Sequence, residues 1–416
     1  MNARFSKSIV SVLVIAALAL AIVPFAGAQE GPPQVGLRPD APPYALHGPY
    51  WVGMIEGTID ADGERPLPFR VWYPALNPTG AEEYIEYPTD VQFFPVPEGG
   101  PSVTLGHALA DAEPDLSGAP YPVVVYSPGF SGTREGAAWV AEHLASHGFV
   151  ALSLTHPGEV WGEFWPSYVI RPLDNLRALD YMESLVNTDE ALADMIDMER
   201  VGIAGWSSGG YDALAGAGAR FNPAWMEQWC TQYPDLFDVV ENCPGVLDHQ
   251  QELLDLAGLD AKPDGLWPAW GDPRVDAAIS QAGGGYEFGP EGLAAVTIPV
   301  MIQQGAGDAM NTPEWVGYFA YEHVSSAQKS LVAFADAGHM IFTGGCENNP
   351  WLIGNDPSLF WACADSVWDA DRSVDLVNHF TTAFLLATLK DDAEAAAALA
   401  PDAVAFPGIT YEAQGF

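Results

Sequence analysis

The hydrophobic pattern changes period along the chain. From Trp51 to Ile59 and from Pro68 to Tyr73, apolar and polar positions alternate, which predicts two antiparallel strands with a turn at Asp62-Gly63. From Pro122 onward the alternation gives way to short, mostly apolar runs. These are Pro122–Tyr126, Phe149–Leu154, Arg200–Ala204, Val275–Ser280, Ile298–Gln303 and Leu331–Phe334. Between them lie stretches of helical spacing. Arg134–His147, Tyr211–Ala219 and Pro313–His323 are three, and Arg171–Val186 places Leu173, Leu176, Leu179 and Met182 at helical intervals. Strands buried on both faces and separated by helices predict an α/β fold with a mostly parallel central sheet flanked by helices. Val374–Leu389 is predicted to be a closing amphipathic helix.

Other segments interrupt this rhythm. Residues 29–49, rich in Pro and Gly, are predicted to form an extended N-terminal arm, and residues 75–120 a long surface connection. The alternation breaks at about 220–272, which holds Trp225, Trp229, Trp267, Trp270 and a helical run at Gln250–Ala257. That stretch is predicted to be an insertion after the third core helix and a candidate lid. Residues 391–416 read as a loose C-terminal tail, leaving 50–390 as the main domain.

The first residues read as an address. Arg4 and Lys7 precede an uncharged apolar run from Ile9 to Phe25, then Ala26-Gly27-Ala28. This is the pattern of a secretory signal peptide cleaved after Ala28, and it predicts a secreted or periplasmic protein with no integral membrane segment after cleavage. Export gives the cysteines a meaning. Cys230, Cys243, Cys346 and Cys363 are an even set in an oxidising compartment, and proximity in sequence predicts the pairs Cys230–Cys243 and Cys346–Cys363. No C-x-x-C pair is present and the His143/His147 pair has no evident acidic or Cys partner, so no metal is expected.

Charge narrows the partners. Of 416 residues, 15 are Lys or Arg and 55 are Asp or Glu, a net charge of −40. Nucleic acid and anionic membranes are therefore poor partners. With 49% apolar residues the chain has ample material for a core.

One motif carries chemistry. Gly205-Trp206-Ser207-Ser208-Gly209 fits G-x-S-x-G, and a predicted strand runs into it while a small-residue helix leaves it. A sharp strand-to-helix turn presents its serine at the sheet edge, so Ser207 is the predicted nucleophile. Such elbows are followed in sequence by an acid and then a histidine. His339 follows the last core strand and is the predicted base; Asp308 follows the strand before it and is the predicted orienting acid. Asp336 lies too near His339 in sequence for that role. His156, at another strand end, is a candidate pocket residue, and His379 a packing or surface one. Acyl transfer needs donors for the oxyanion. The backbone N–H of Ser208 and that of Phe130, in Ser127-Pro128-Gly129-Phe130-Ser131-Gly132, are predicted to supply them. Trp206, Tyr286, Phe288 and the insertion tryptophans are candidate pocket walls.

The segments Tyr121–Phe130, Leu144–Val150 and Gly205–Gly210, with Asp308 and Ala337-Gly338-His339, resemble the α/β-hydrolases. More narrowly, the chain resembles predicted dienelactone hydrolases and the platelet-activating-factor acetylhydrolase-like and polyester-hydrolase-like serine esterases. The resemblance implies a cofactor-free serine hydrolase in which the residue after Pro128-Gly129 donates its N–H. Dienelactone hydrolases use Cys where this chain has Ser207, and compact cutinases lack the 220–272 insertion. An insertion over the site would favour small or lipid-like esters, neutral or zwitterionic given the acidic surface, over a polymer. Polyester or cutinase-like hydrolysis and lipase action are the alternatives, then peptidase or amidase activity, then a non-catalytic binding role.

Overall fold

Strands β1 (Trp51–Ile59) and β2 (Leu67–Ala75) pair antiparallel over their full length, Trp51 opposite Ala75 and Ile59 opposite Leu67. The computed structural model describes residues 31–88, 103–188, 192–348, 350 and 357–416. The expected signal peptide lies outside them. Strands β3 (Ile85–Pro88) and β4 (Val103–Gly106) make a separate ribbon, and β5 (Leu109–Ala110) pairs with β1.

The parallel core follows. It comprises β6 (Tyr121–Ser127), β7 (Val150–Leu154), β8 (Ile196–Trp206), β9 (Val275–Gln281), β10 (Val300–Gly305) and β11 (Lys329–Phe334). The connecting helices are α1 (Ala138–Ser146), α2 (Ser167–Thr188) and α3 (Ser208–Gly216), then α4 (Pro223–Gln232), α5 (Phe237–Asp248) and α6 (Gln250–Leu256). They continue with α7 (Gly289–Leu293), α8 (Gly317–His323), α9 (Ala370–Leu389) and α10 (Ala393–Ala398). With β12 (Ile409–Gln414), the sheet formed by the described residues has ten strands in the order β12-β11-β10-β9-β8-β6-β7-β2-β1-β5.

The strands read as continuous apolar runs because both faces are covered. Val123 and Val125 face a core that includes Leu179 of α2, Leu214 of α3 and Phe319 of α8. Val124 and Tyr126 face the other, with Leu144 of α1 and Phe380 and Phe384 of α9. Register matters for function. Gly205 at the end of β8 lies opposite Ser127 of β6 and Ser280 of β9, so the loops leaving these strands open side by side at one sheet edge. In open α/β sheets that edge is where ligands bind.

Two expectations change. The 391–416 segment is not a loose tail: it forms α10 and then β12, which pairs antiparallel with β11 from Lys329↔Gln414 to Phe334↔Ile409. Within it, Tyr411 of β12 donates to the Leu399 carbonyl at the end of α10 at 2.7 Å, tying helix to strand. The segment's alternation is that of an edge strand with one face half-buried, and Glu412 blunts the edge against further pairing. The tryptophans of the 220–272 segment belong to the core rather than to the cleft walls. Trp225 of α4 stacks near Phe319 of α8, and Phe221, flanked by Trp267 and Trp270, stacks on Tyr168 of α2. The Cys230–Cys243 disulfide ties α4 to α5. The second disulfide joins Cys346 to Cys363.

The N-terminal arm docks through histidines rather than apolar area alone. His143 of α1 and His147 at its C-cap donate Nε2–H to the carbonyls of Tyr44 and Leu46, at 2.8 and 2.9 Å. A carbonyl only accepts, so both nitrogens carry hydrogen. Tyr44 N–H donates to His379 Nδ1 at 3.3 Å, and Leu37 and Arg38 N–H donate to the Asp375 carboxylate at 3.0 Å each. Burial lowers His147 and His379 to about 4 from the ordinary 6.5. As pH falls from 6.5 toward 4 the unfolded chain takes up these protons first. Each histidine then removes up to about 1.4 kcal/mol of stability per pH unit. Glu142, pushed up to about 7 by burial, works in the opposite direction at similar pH. His147→Asn is therefore expected to flatten the acid side of the Tm-versus-pH curve relative to the parent chain. An unchanged slope would show that His147 titrates freely in the folded protein.

Candidate active site

The elbow is built by what glycine permits. Ser207 sits at φ 56° and ψ −122°, a conformation that costs a side-chain-bearing residue about 1–3 kcal/mol. A Cβ on Gly205 would stand 2.3 Å from the Gly209 carbonyl oxygen, and one on Gly209 would stand 1.9 Å from that of Ser127. Both flanking positions therefore exclude every other residue. Ser207 N–H donates to the Gln281 carbonyl at 2.8 Å, and the Ser207 carbonyl accepts from Gly210 and Tyr211, which locks the turn onto α3.

Three side chains from three loops meet at this turn. His339 Nε2 lies 2.9 Å from Ser207 Oγ, and His339 Nδ1 lies 2.7 Å from Asp308 Oδ2. Asp308 Oδ1 accepts N–H from Met310 and Asn311, both at 2.9 Å, so the carboxylate is fixed in rotation. With an acceptor-only carboxylate at Nδ1, the imidazole carries its hydrogen there and leaves Nε2 free to take the serine proton. Trp206 Nε1–H donates to the His339 carbonyl at 3.1 Å and its ring lies 5.1 Å from the imidazole, holding the histidine loop in place. Asp336 stands apart, at φ 56° in the turn after β11. His156 is fully buried beneath the loop after β6 and does not line the cleft.

The serine opens into a cleft of about 270 Å³. Phe130 and Ser208 lie beside Ser207 on its wall. Ser208 is the first residue of α3, and the first N–H groups of a helix have no partner within it. Of the expected walls, Trp206 and Tyr286 line the cleft, with Tyr286 stacked on Trp229 at 4.0 Å. Phe288 does not. It is fully buried and stacked on Tyr211 at 4.6 Å, because it caps α7 on the core side of the chain. Among the described residues of the insertion helices, Asn242 lines the cleft.

The walls that sequence reading missed are Trp161, Phe164 and Trp361. Trp161 and Phe164 cluster with the Phe130 ring, at 6.1 and 4.4 Å. Trp161 and Trp361 remain 51% and 49% exposed, so the mouth carries aromatic faces in contact with solvent. The signal was present: Trp161-Gly162-Glu163-Phe164-Trp165 lies in the loop after a core strand, and loops after parallel strands border such sites.

Parallel sheet, strained serine turn and the order Ser207, Asp308, His339 converge on one architecture. This is an α/β-hydrolase fold. A family model described as PET hydrolase-like matches residues 112–225, which run from before β6 through the elbow. Cutinase est2 of Thermobifida alba is 35% identical over 100 residues, 24% of this chain and 31% of that protein. Cutinase 2 of Thermobifida cellulosilytica is 35% identical over 100 residues, 24% of this chain and 36% of its own length. The chain thus spans about a third of the curated relatives it matches. The matched part of the chain resembles polyester-hydrolase-like serine esterases. Asp308 and His339 lie outside the 112–225 match, and their assignment rests on the geometry above.

Proposed function

We propose that this chain is a serine carboxylester hydrolase of the polyester- or cutinase-like kind. The observation that carries the reading is the hydrogen-bonded series Ser207–His339–Asp308 at the floor of an aromatic-walled cleft. His339 takes the Ser207 proton as the oxygen attacks an ester carbonyl. The N–H groups of Phe130 and Ser208 hold the oxyanion, His339 protonates the leaving alcohol, and water then releases the acid. The names of the relatives support the ester class, and the aromatic mouth supports an extended apolar chain over a small acetyl ester. The preference for small esters rests on an insertion over the site; the insertion's tryptophans pack into the core, which weakens the support for that reading. Export is part of the same proposal. It rests on the N-terminal pattern and on two disulfides, which persist in oxidising compartments. Among the described residues no helix is long and apolar enough to cross a membrane.

The test compares hydrolysis of p-nitrophenyl acetate through decanoate with release of soluble products from an aliphatic polyester film. Film hydrolysis together with activity on medium-chain esters is the expected result. Activity confined to the acetate, with an inert film, would return the reading to an acetylhydrolase-like enzyme. The double variant Trp161→Ala/Trp361→Ala is expected to lose roughly tenfold on the film, the scale of one or two aromatic contacts. Its loss on p-nitrophenyl acetate should be smaller. Equal losses on both would mean that the rim tryptophans support the site rather than hold a chain.

A further inference from the structure

A buried ionic network lies under the loop that bears Phe130, and the hydrolytic series does not use it. Arg171 of α2, 1% exposed, is its hub. Its Nε donates to Asp212 Oδ2 at 2.8 Å, one terminal nitrogen donates to Glu159 Oε1 at 2.7 Å, and the other donates to Ser127 Oγ at 3.1 Å and to the Pro128 carbonyl. The nitrogen facing Glu159 also lies 3.5 Å from the Gly129 carbonyl. The other oxygen of Glu159 accepts the Ser131 N–H at 2.6 Å. Below, Ser127 Oγ donates to Asp212 at 2.6 Å and lies 3.0 Å from His156 Nε2, whose Nδ1 lies 3.0 Å from Asp174. Arg65 closes the series on Asp174 at 2.7 Å. Ser127, His156 and Asp174 have the composition of a second hydrolytic triad, but all are buried and Ser127 Oγ is occupied on every side. They hold structure; they have no access to substrate.

We propose that Arg171 and Glu159 are positioning residues that set the oxyanion donor. They grip the loop on both sides of Phe130: the carbonyls of Pro128 and Gly129 before it and the N–H of Ser131 after it. The Gly129 carbonyl shares its peptide group with the Phe130 N–H, and the Pro128 and Ser131 holds fix the peptide groups on either side; the role of that N–H rests on the function proposed above. The loop needs holding. Ser131 sits at φ 55°, which a serine does not adopt without cost, and Gly129 must approach Trp206 so closely that a Cβ would stand 2.7 Å from its ring. A guanidinium suits the task because its planar fork can hold carboxylate and carbonyls at once, whereas an ammonium is a single point of charge. Asp212 lies five residues after Ser207 on α3, so the same fork ties the oxyanion loop to the helix that leaves the nucleophile.

The test is Glu159→Gln, which keeps the side chain's size and an acceptor for Ser131 but presents an amide where Arg171 has a carboxylate. Rates are taken per serine titrated with a fluorophosphonate, so a partly unfolded sample does not distort them. Arg171→Lys carries the same readout should Glu159→Gln fold poorly. The expected result is a kcat for p-nitrophenyl butyrate lower by roughly 10- to 100-fold, the range for a displaced oxyanion donor. KM should stay within about twofold. Affinity for a trifluoromethyl ketone, whose adduct bears the oxyanion, should fall by the same factor as kcat. A merely structural role would lower Tm and leave kcat per titrated serine and ketone affinity unchanged, which would overturn the proposal. Failure of the parent enzyme to cleave any ester would instead overturn the functional reading on which it rests.

Discussion

Ser207→Ala is expected to lower kcat on p-nitrophenyl butyrate by roughly 10⁶-fold, the scale seen when a hydrolase serine is removed from an intact triad. A residual rate above water should remain, because the cleft and the proposed oxyanion donors stay in place. The alanine is well tolerated sterically: it removes one oxygen and keeps the backbone of a turn already held by Gln281, Gly210 and Tyr211. The protein should therefore fold with an unchanged Tm, or a slightly higher one. A variant that kept its rate would show that the nucleophile lies elsewhere. Ser208 is the adjacent serine in sequence, and it is Ser207, not Ser208, that has His339 at 2.9 Å.

Asp308→Asn is expected to cost roughly 10⁴-fold in kcat through the tautomer of His339. Asp308 uses its two oxygens differently: Oδ1 accepts two backbone N–H groups, and Oδ2 faces the imidazole. An asparagine satisfies the two N–H groups only by placing its carbonyl at the Oδ1 position, which turns its NH₂ toward His339 Nδ1. The imidazole must then accept at Nδ1 and carry its hydrogen on Nε2, where it can no longer take the Ser207 proton. Folding should be preserved. The effect should shrink as pH rises and hydroxide substitutes for the missing base. Asp336→Asn, in the turn after β11, should change kcat by less than about twofold, since surface substitutions away from such features have small effects. A reversal, with Asp336→Asn inactive and Asp308→Asn active, would place the acid wrongly.

The elements legible in sequence are those that one local rule decides. The parallel strands stand out because burial on both faces demands unbroken apolar runs. The elbow stands out because Gly205 and Gly209 are positions where any Cβ collides with backbone. Asp308 and His339 were legible through chain order and strand ends. Other features depended on tertiary partners that sequence does not display. Phe288 and Tyr286 are two residues apart, yet one faces the core and the other the cleft. The tryptophans of residues 220–272 look equally suited to a lid or a core, and the Cys230–Cys243 link between α4 and α5 accompanies the core outcome. The last strand hid behind an Ala-rich stretch because an edge strand buries only one face. Arg171 read as an ordinary first residue of a helix; its role appears only when Asp212, Glu159 and the Pro128 carbonyl converge on it.

The central claim is an acyl-enzyme on Ser207. The direct measurement is acid quenching of the protein during turnover of p-nitrophenyl butyrate, followed by intact mass and peptide mapping. One butyryl group on the peptide that contains Ser207, absent from Ser207→Ala, is the predicted result. Ester turnover with the acyl group on another residue, or with none trapped under conditions that show a p-nitrophenol burst, would contradict it.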